Sequence, residues 1–394
     1  MMSNLNMFFE VQPPLASKAQ SLETFKNYKI TETPVSKKRV CSLQWNKSGN
    51  KIAMGCYDTT IKMYSLDGSN LSKIQDFKGH SDQVQSLSWH PQNESVFVST
   101  SADKTIRIWD SKAGKSVRTE KTKEENLNLT FNPDGNILGV SNIKEELCFF
   151  DFRMWKMLKQ IKFKNEVNDF TWDKSQNGQA LFVADSSGAI TVYNGQTLSS
   201  TPLTILNFHY TACNTLAIDP SNNYFISGGS DSLIGMWDMQ EMMVFRTVSN
   251  NDFKVLVLNV SHDGQYIASI CEDDINKKFV VEVYDGVLKP SQTDLQNSSD
   301  AFLESDRMII DNPEMDSGNY LTQSNKQNTA SRQIQSSFNS SSLMGLNNNQ
   351  TLYSYSSSST KYCLQWHPKR HILAFAGEEK NEGVVQLLQP SIQA

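Results

Sequence analysis

The stretch TSADKTIRIWD, Thr100–Asp110, gathers Ser101, Asp103, Lys104, Thr105 and Arg107 just ahead of Trp109. An acid, a base and a hydroxyl in so short a run could be a reaction centre or one turn of a repeated scaffold. Recurrence decides between them, because a catalytic set is built once and a repeat is built many times.

The pattern recurs. The segments VCSLQWNKSGN, VQSLSWHPQNE, LNLTFNPDGN, VNDFTWDKSQN, NTLAIDPSNN, LVLNVSHDGQ and YCLQWHPKRH each alternate apolar and polar residues, reach a large apolar residue and then turn. That large residue is Trp45, Trp89, Phe131, Trp172, Ile218, Val260 and Trp366, at separations of 44, 42, 41, 46, 42 and 106 residues. The first five spacings match the roughly 40–45-residue period of WD-type propeller blades. The sixth exceeds one period by about sixty residues and predicts an insertion. The second halves agree: YDTTIKMYSLD, SADKTIRIWDS, SSGAITVYNG, GSDSLIGMWDM and FVVEVYDG alternate β-formers before an aromatic residue. Short alternating runs with frequent turn residues predict antiparallel strands. The expected fold is all-β, a seven-bladed WD-repeat β-propeller.

The last unit offers strands at ILAFAG and GVVQLL and then stops one strand short of a blade. The segment NYKITETPV, Asn27–Val35, precedes the first unit, so an N-terminal strand is expected to complete the last blade, covering the edge that the short blade would leave, and close the ring. The expected organisation is a flexible segment at 1–26 and a propeller over 27–394. A Ser/Asn/Gln-rich insertion interrupts it at about 286–360, too poor in apolar residues to offset the entropy of ordering. A few of its residues must form the outer strand of blade six. An island at Asp300–Asp316 mixes apolar and acidic residues and reads as a poorly ordered loop, or else as a short docking motif or phosphorylation-controlled segment.

The polar residues of the opening stretch then acquire a structural role. Gly79-His80 opens the second unit; Ser99, Asp103 and Trp109 follow, and His209, Ser227, Asp231 and Trp237 repeat the set in the fifth. A buried indole and imidazole need partners, and a chain from Trp to Ser to His to Asp supplies them. Lys104 and Arg107 lie outside the repeated set, since Ser232 and Gly235 replace them in the fifth unit. They are free to serve a partner.

The bulk composition restricts function. The net charge is −5 over 394 residues, which argues against free-standing affinity for phosphate backbones. No apolar run approaches the ~18 residues of a membrane helix, and the N-terminus has no secretory pattern. An intracellular, soluble protein is expected, with Cys41, Cys56, Cys148, Cys213, Cys271 and Cys363 reduced. No zinc-binding, nucleophile-elbow or P-loop motif appears, so the reading carries no catalytic residue, no metal, no cofactor and no small-molecule substrate. SKKRV, Ser36–Val40, reads as a solvated approach to a strand or as a nuclear-import or phosphate patch. FFDFR, with Asp151 and Arg153, is similar to an aromatic-Asp-x-Arg motif that docks some propellers onto cullin ligase adaptors. A cullin substrate receptor is therefore the alternative function.

Several stretches together resemble the THO complex subunit 3 family, the WD-repeat members of the THO/TREX assembly. They are KFKNEVNDFTWD (Lys162–Asp173), NYFISGGSDSLIGMWDMQEMMVFRT (Asn223–Thr247), SHDGQYIAS (Ser261–Ser269) and LQWHPKRHILAFAGEEKNEGVVQLL (Leu364–Leu388). The first unit departs by lacking the Gly-His pair, and the Ser/Asn/Gln insertion is not expected of the family. The resemblance implies a nuclear, non-catalytic scaffold bound to other THO subunits, chiefly the large helical one. Its role would be to couple transcription to mRNA packaging and export, with RNA contact at most indirect. Partner-binding candidates beside the starts of the inner strands and before the turn acids are Arg39, Tyr57, Gln83, Asn126, Glu166 and Ser230.

Overall fold

The computed structural model describes residues 25–249, 253–286 and 351–391. The chain divides into one unit of Met1–Val287 with Asn349–Ala394 and another of Leu288–Asn348. The expected N-terminal segment up to residue 24 and residues 287–350 of the expected insertion lie outside the described residues.

Within the first unit, seven four-stranded antiparallel sheets succeed one another along the chain. Their first strands are Val40–Trp45, Val84–Trp89, Asn126–Phe131, Val167–Trp172, Cys213–Ile218, Lys254–Val260 and Lys361–Trp366. Each ends on the large residue that sets the sequence period. In six blades the other three strands come next in order. The fourth strand of blade six, Thr351–Ser357, falls inside the segment read from sequence as an insertion.

Burial follows from stacking sheets face to face. In blade two the second strand, Val96–Ser101, is buried at five of six positions because neighbouring sheets cover both its faces. The fourth strand, Lys115–Lys121, is almost wholly exposed at the rim. Lysines at both ends of that outer strand also discourage pairing with a second sheet. Among the described residues the apolar core divides into seven clusters, one at each seam between blades. At the seam of blades one and two, for example, Ile61, Met63 and Phe77 pack on Leu87, Trp89, Phe97 and Trp109.

Polar side chains add stitches across the seams. Gln44 Oε1 accepts from Trp89 N at 3.0 Å, Gln365 Oε1 from Trp45 N at 2.7 Å, and Asn259 Oδ1 from Trp366 N at 2.9 Å. Asp169 does the same for Leu216 N at 2.8 Å, and burial pushes its carboxyl up to about 6. Each bond satisfies a backbone donor that the sheet itself leaves unpaired.

The ring closes as the sequence suggests. Tyr28–Ser36 pairs antiparallel with Glu382–Pro390, running from Tyr28 opposite Pro390 to Ser36 opposite Gly383. That completes blade seven, whose other strands all come from the opposite end of the chain. The expected domain boundary needs moving: Phe25, read as part of the flexible segment, is 2% exposed. Its ring lies 4.6 Å from Tyr28 and 5.0 Å from Tyr266, so apolar burial anchors the approach to the closing strand.

Candidate partner-binding face

The repeated polar set is assembled in both blades. In blade two Trp109 Nε1 donates to Ser99 Oγ at 2.8 Å, Ser99 Oγ meets His80 Nε2 at 2.6 Å, and His80 Nδ1 meets Asp103 Oδ2 at 2.9 Å. Blade five repeats this with Trp237, Ser227, His209 and Asp231, every link being 2.9 Å. One neutral tautomer satisfies every group: Nδ1–H donates to the carboxylate, and Nε2 accepts from the hydroxyl. Asp103 also accepts from Ser81 N, Thr105 N and Thr105 Oγ1. Burial opposes its charge, but the bonds from His80, Thr105 and Ser81 prevail and hold its carboxyl well below the usual range. Burial also lowers the His80 and His209 imidazoles.

Serine, histidine and aspartate in this order have the connectivity of a catalytic triad. Access decides against that reading. Ser99 and Ser227 are 0% exposed, and each hydroxyl is already committed to an indole on one side and an imidazole on the other. The Gly-His pair is part of the same packing: a Cβ on Gly79 would stand 2.8 Å from Arg107 Nη1 and 3.1 Å from Trp109. Arg107, read from sequence as free for a partner, is therefore half-buried against its own blade. Lys104 is exposed, and its φ of 61° makes it the left-handed residue of its turn, as Ser232 at 67° is in blade five.

The six partner-binding candidates cluster at one end of the blades. There the residue after the second strand donates to the carbonyl before the first: Tyr57 N to Arg39 O at 3.0 Å, Ala102 N to Gln83 O at 3.2 Å, and Ser186 N to Glu166 O at 2.9 Å. Ser230 N closes the same ring of bonds with Ala212 O in blade five. We call this end the upper face. Just inside it every first strand carries a register shift after its opening residues, as at Val40/Ser42 and Val84/Ser86. Such bulges turn the extra side chain out of the sheet. Gln85, Asn168, Asn214 and Leu256 thereby line a depression of about 350 Å³, with Glu166 exposed at its edge.

Arg39 organises the best-developed patch. Its guanidinium lies 4.7 Å from the Tyr57 ring centroid and 5.1 Å from that of Tyr362. It donates to Gln83 Oε1 at 3.3 Å and to Tyr362 Oη at 3.4 Å. Blades seven, one and two thus meet around one cation held between two aromatic faces. Three candidates, Arg39, Tyr57 and Gln83, are brought together there, with Tyr57 45% exposed. Tyr362 was missed, although it stands where a bulge projects Gln85 or Asn168 in other blades. Within SKKRV, Lys37 and Lys38 are exposed ahead of Arg39.

The other candidates divide. Ser230 accepts from Asn214 Nδ2 at 2.9 Å and borders a second depression, of about 630 Å³, with Lys254 and Asp274. Asn126 is a correction: it is 2% exposed and its Nδ2 donates to Thr122 Oγ1. As the first residue of its strand it points inward, and Glu125 holds the outward position through its carbonyl bond to Ile143 N.

Asp151 in FFDFR has a role of its own. Its Oδ1 accepts from Arg153 N and Met154 N, capping the turn into the fourth strand. Asp110, Asn194 and Asp238 cap the equivalent turns in the same way. The motif is thus a repeat element before it is anything else.

Residues 28–65 and 71–110 match the family model for the WD domain, G-beta repeat. Residues 152–273 match that for eukaryotic translation initiation factor eIF2A, under a third of the chain. The THO complex subunit 3 of Arabidopsis thaliana is 35% identical over 251 residues, covering 63% of this chain and 78% of that protein. Protein TEX1 of Saccharomyces cerevisiae is 23% identical over 265 residues, 62% of each chain. WD repeat-containing protein AAC3 of Dictyostelium discoideum is 29% identical, and the match spans only 52% of its length. Among solved structures the β-propeller domain of Cps50 (Swd1) from Myceliophteria thermophila superposes with a TM-score of 0.66 at 12% identity. It covers 92% of this chain and 99% of that one, a likeness of fold alone.

Proposed function

Since this chain belongs to the THO complex subunit 3 family of WD-repeat proteins, we propose that it is the propeller subunit of a nuclear THO/TREX assembly coupling transcription to mRNA packaging and export. The chain is a WD-repeat scaffold. The nuclear role rests on the 35% identity to THO complex subunit 3 across 78% of that relative. Scaffold chemistry is consistent with the site: its apparent triads are sealed, whereas its upper face offers an arginine between two tyrosines.

Interfaces draw most of their affinity from a few aromatic and arginine anchors in a desolvated patch. Arg39, Tyr57 and Tyr362 supply both residue types within one cluster. In this reading they seat the large helical THO subunit, with Gln83 fixing the guanidinium. RNA contact is at most indirect, in keeping with a net charge of −5.

The test is affinity purification of the tagged chain from nuclei, with its partners identified by mass spectrometry. THO subunits are expected, and Arg39→Ala is expected to weaken their recovery at least tenfold while the melting temperature holds. Recovery of a cullin adaptor without THO subunits would sink the proposal. Wild-type recovery by both Arg39→Ala and Tyr362→Ala would remove the upper face from it.

A further inference from the structure

The opposite end of the blades carries a side-chain cluster that the scaffold role does not use. His262 and Asp263 lie in the turn between the first two strands of blade six, and His371 in the corresponding turn of blade seven. They are 108 residues apart in sequence, yet His371 Nε2 lies 2.7 Å from Asp263 Oδ2. The two imidazole rings approach to 4.8 Å between centroids at 49°. One ligating atom from each of the three residues falls within a mutual separation of 4.8 Å.

The state of His262 points to a missing ligand. Its Nδ1 is buried and has no hydrogen-bond partner. The other histidines at this end are not left so. His90 Nδ1 accepts from Gln92 N and Asn93 N, and His367 Nδ1 accepts from Lys369 N. In blade six the tighter turn spends its amides elsewhere: Gly264 N goes to Ser261 O and Gln265 N to Asp263 Oδ1. The ring that carries this bare nitrogen lies against a second imidazole and has a carboxylate as its chain neighbour. A buried acceptor without a donor is costly, and a cation would satisfy it.

We infer that His262, Asp263 and His371 form a binding site for a divalent transition-metal ion of the zinc type. Two imidazoles and one carboxylate suit zinc and its neighbours, whereas calcium and magnesium require mainly oxygen ligands. Zinc bonds of about 2.0–2.2 Å set tetrahedral ligands about 3.4 Å apart. The Asp263–His371 contact must widen by about 0.7 Å, and the widest pair must close by about 1.4 Å, adjustments within reach of side-chain rotation. The carboxylate is already oriented: Oδ1 is held by Ser261 Oγ at 2.6 Å and Gln265 N, which leaves Oδ2 for the ion. Tyr266 packs edge-on to His371 at 5.0 Å and supports that ring. Binding replaces the proton between His371 Nε2 and Asp263 Oδ2 with the metal, and that proton passes to solvent. Three protein ligands leave one position for water. The ion would cross-link blades six and seven at the seam next to the closing strand.

The experiment uses the full chain without a histidine tag, stripped with EDTA and titrated with zinc chloride by calorimetry. One ion per chain is expected, together with a rise in melting temperature that EDTA reverses and magnesium does not reproduce. Cobalt(II) should give the visible bands of a nitrogen–oxygen site with no thiolate charge-transfer band. His371→Ala and Asp263→Asn should each lower zinc affinity at least tenfold, and Cys41→Ser should leave it unchanged. If His371→Ala fails to fold, Asp263→Asn carries the comparison, because an amide can keep the turn bonds. The absence of saturable one-to-one binding in the wild type overturns the assignment. So does a thiolate band, or undiminished affinity in Asp263→Asn.

Discussion

Replacing Ser99 with alanine separates scaffold from catalyst most sharply. The substitution removes one oxygen from a site with 0% exposure and strands two groups at once. Trp109 Nε1–H loses its acceptor at 2.8 Å and His80 Nε2 loses its donor at 2.6 Å. Each unsatisfied buried group costs about 1–3 kcal/mol, and relaxation recovers part of that, so a loss of about 2–5 kcal/mol is expected. Ser227→Ala in blade five provides a built-in replicate, with both links at 2.9 Å. The two networks share no residue, so the double variant should show the sum of the single losses within about 0.5 kcal/mol. Urea titrations followed by tryptophan fluorescence measure both, with the midpoint falling and the slope unchanged. Below the shifted transition, partner association should be normal. A loss under about 0.5 kcal/mol in both variants would refute the structural role assigned to the hydroxyls. So would abolished partner binding with an unchanged midpoint.

Acid sensitivity follows from the histidines. Burial lowers the imidazoles of His80, His90 and His209, and that of His367 to about 4. The folded chain therefore refuses protons that the unfolded chain accepts below about pH 6.5, so this stability is complete above that pH and is lost as pH falls toward 4. Thermal melts should show a falling midpoint from pH 7.5 to pH 5; a flat profile over that range contradicts the burial described. Deleting the chain before Lys37 removes the strand that pairs with Glu382–Pro390 and bares the edge of blade seven. Light scattering should then reveal self-association, and a stable monomer with the parental melting temperature would mean that the strand is dispensable.

What could be read from the sequence was whatever repeats along it. Trp45, Trp89, Phe131, Trp172, Ile218, Val260 and Trp366 each end an inner strand because one local pattern, seven times over, meets one local environment. The Trp-Ser-His-Asp sets were legible for the same reason. Contacts across the ring closure and across the insertion were not, since their partners lie at separations no period announces. Tyr362 reaches Arg39 across 323 residues, and His371 reaches Asp263 across 108. Asn126 failed at finer grain: one residue of register separates the outward position of Glu125 from the inward one, and alternation reverses direction at every step.

The closing strand also imposes an order of events on biosynthesis. Glu32 bonds to Gln386, 354 positions further along the chain. At about 5–20 residues per second a ribosome needs roughly 20–70 s to cover that distance. Throughout that interval Tyr28–Ser36 is a finished strand whose partner does not yet exist, while the six blades between them can already form. Vectorial synthesis thus delivers an open arc first and a ring only at the end, with an uncovered apolar blade face at each tip of the arc. The strand that protects the mature propeller from association is, until the last blade emerges, the segment that most needs protecting.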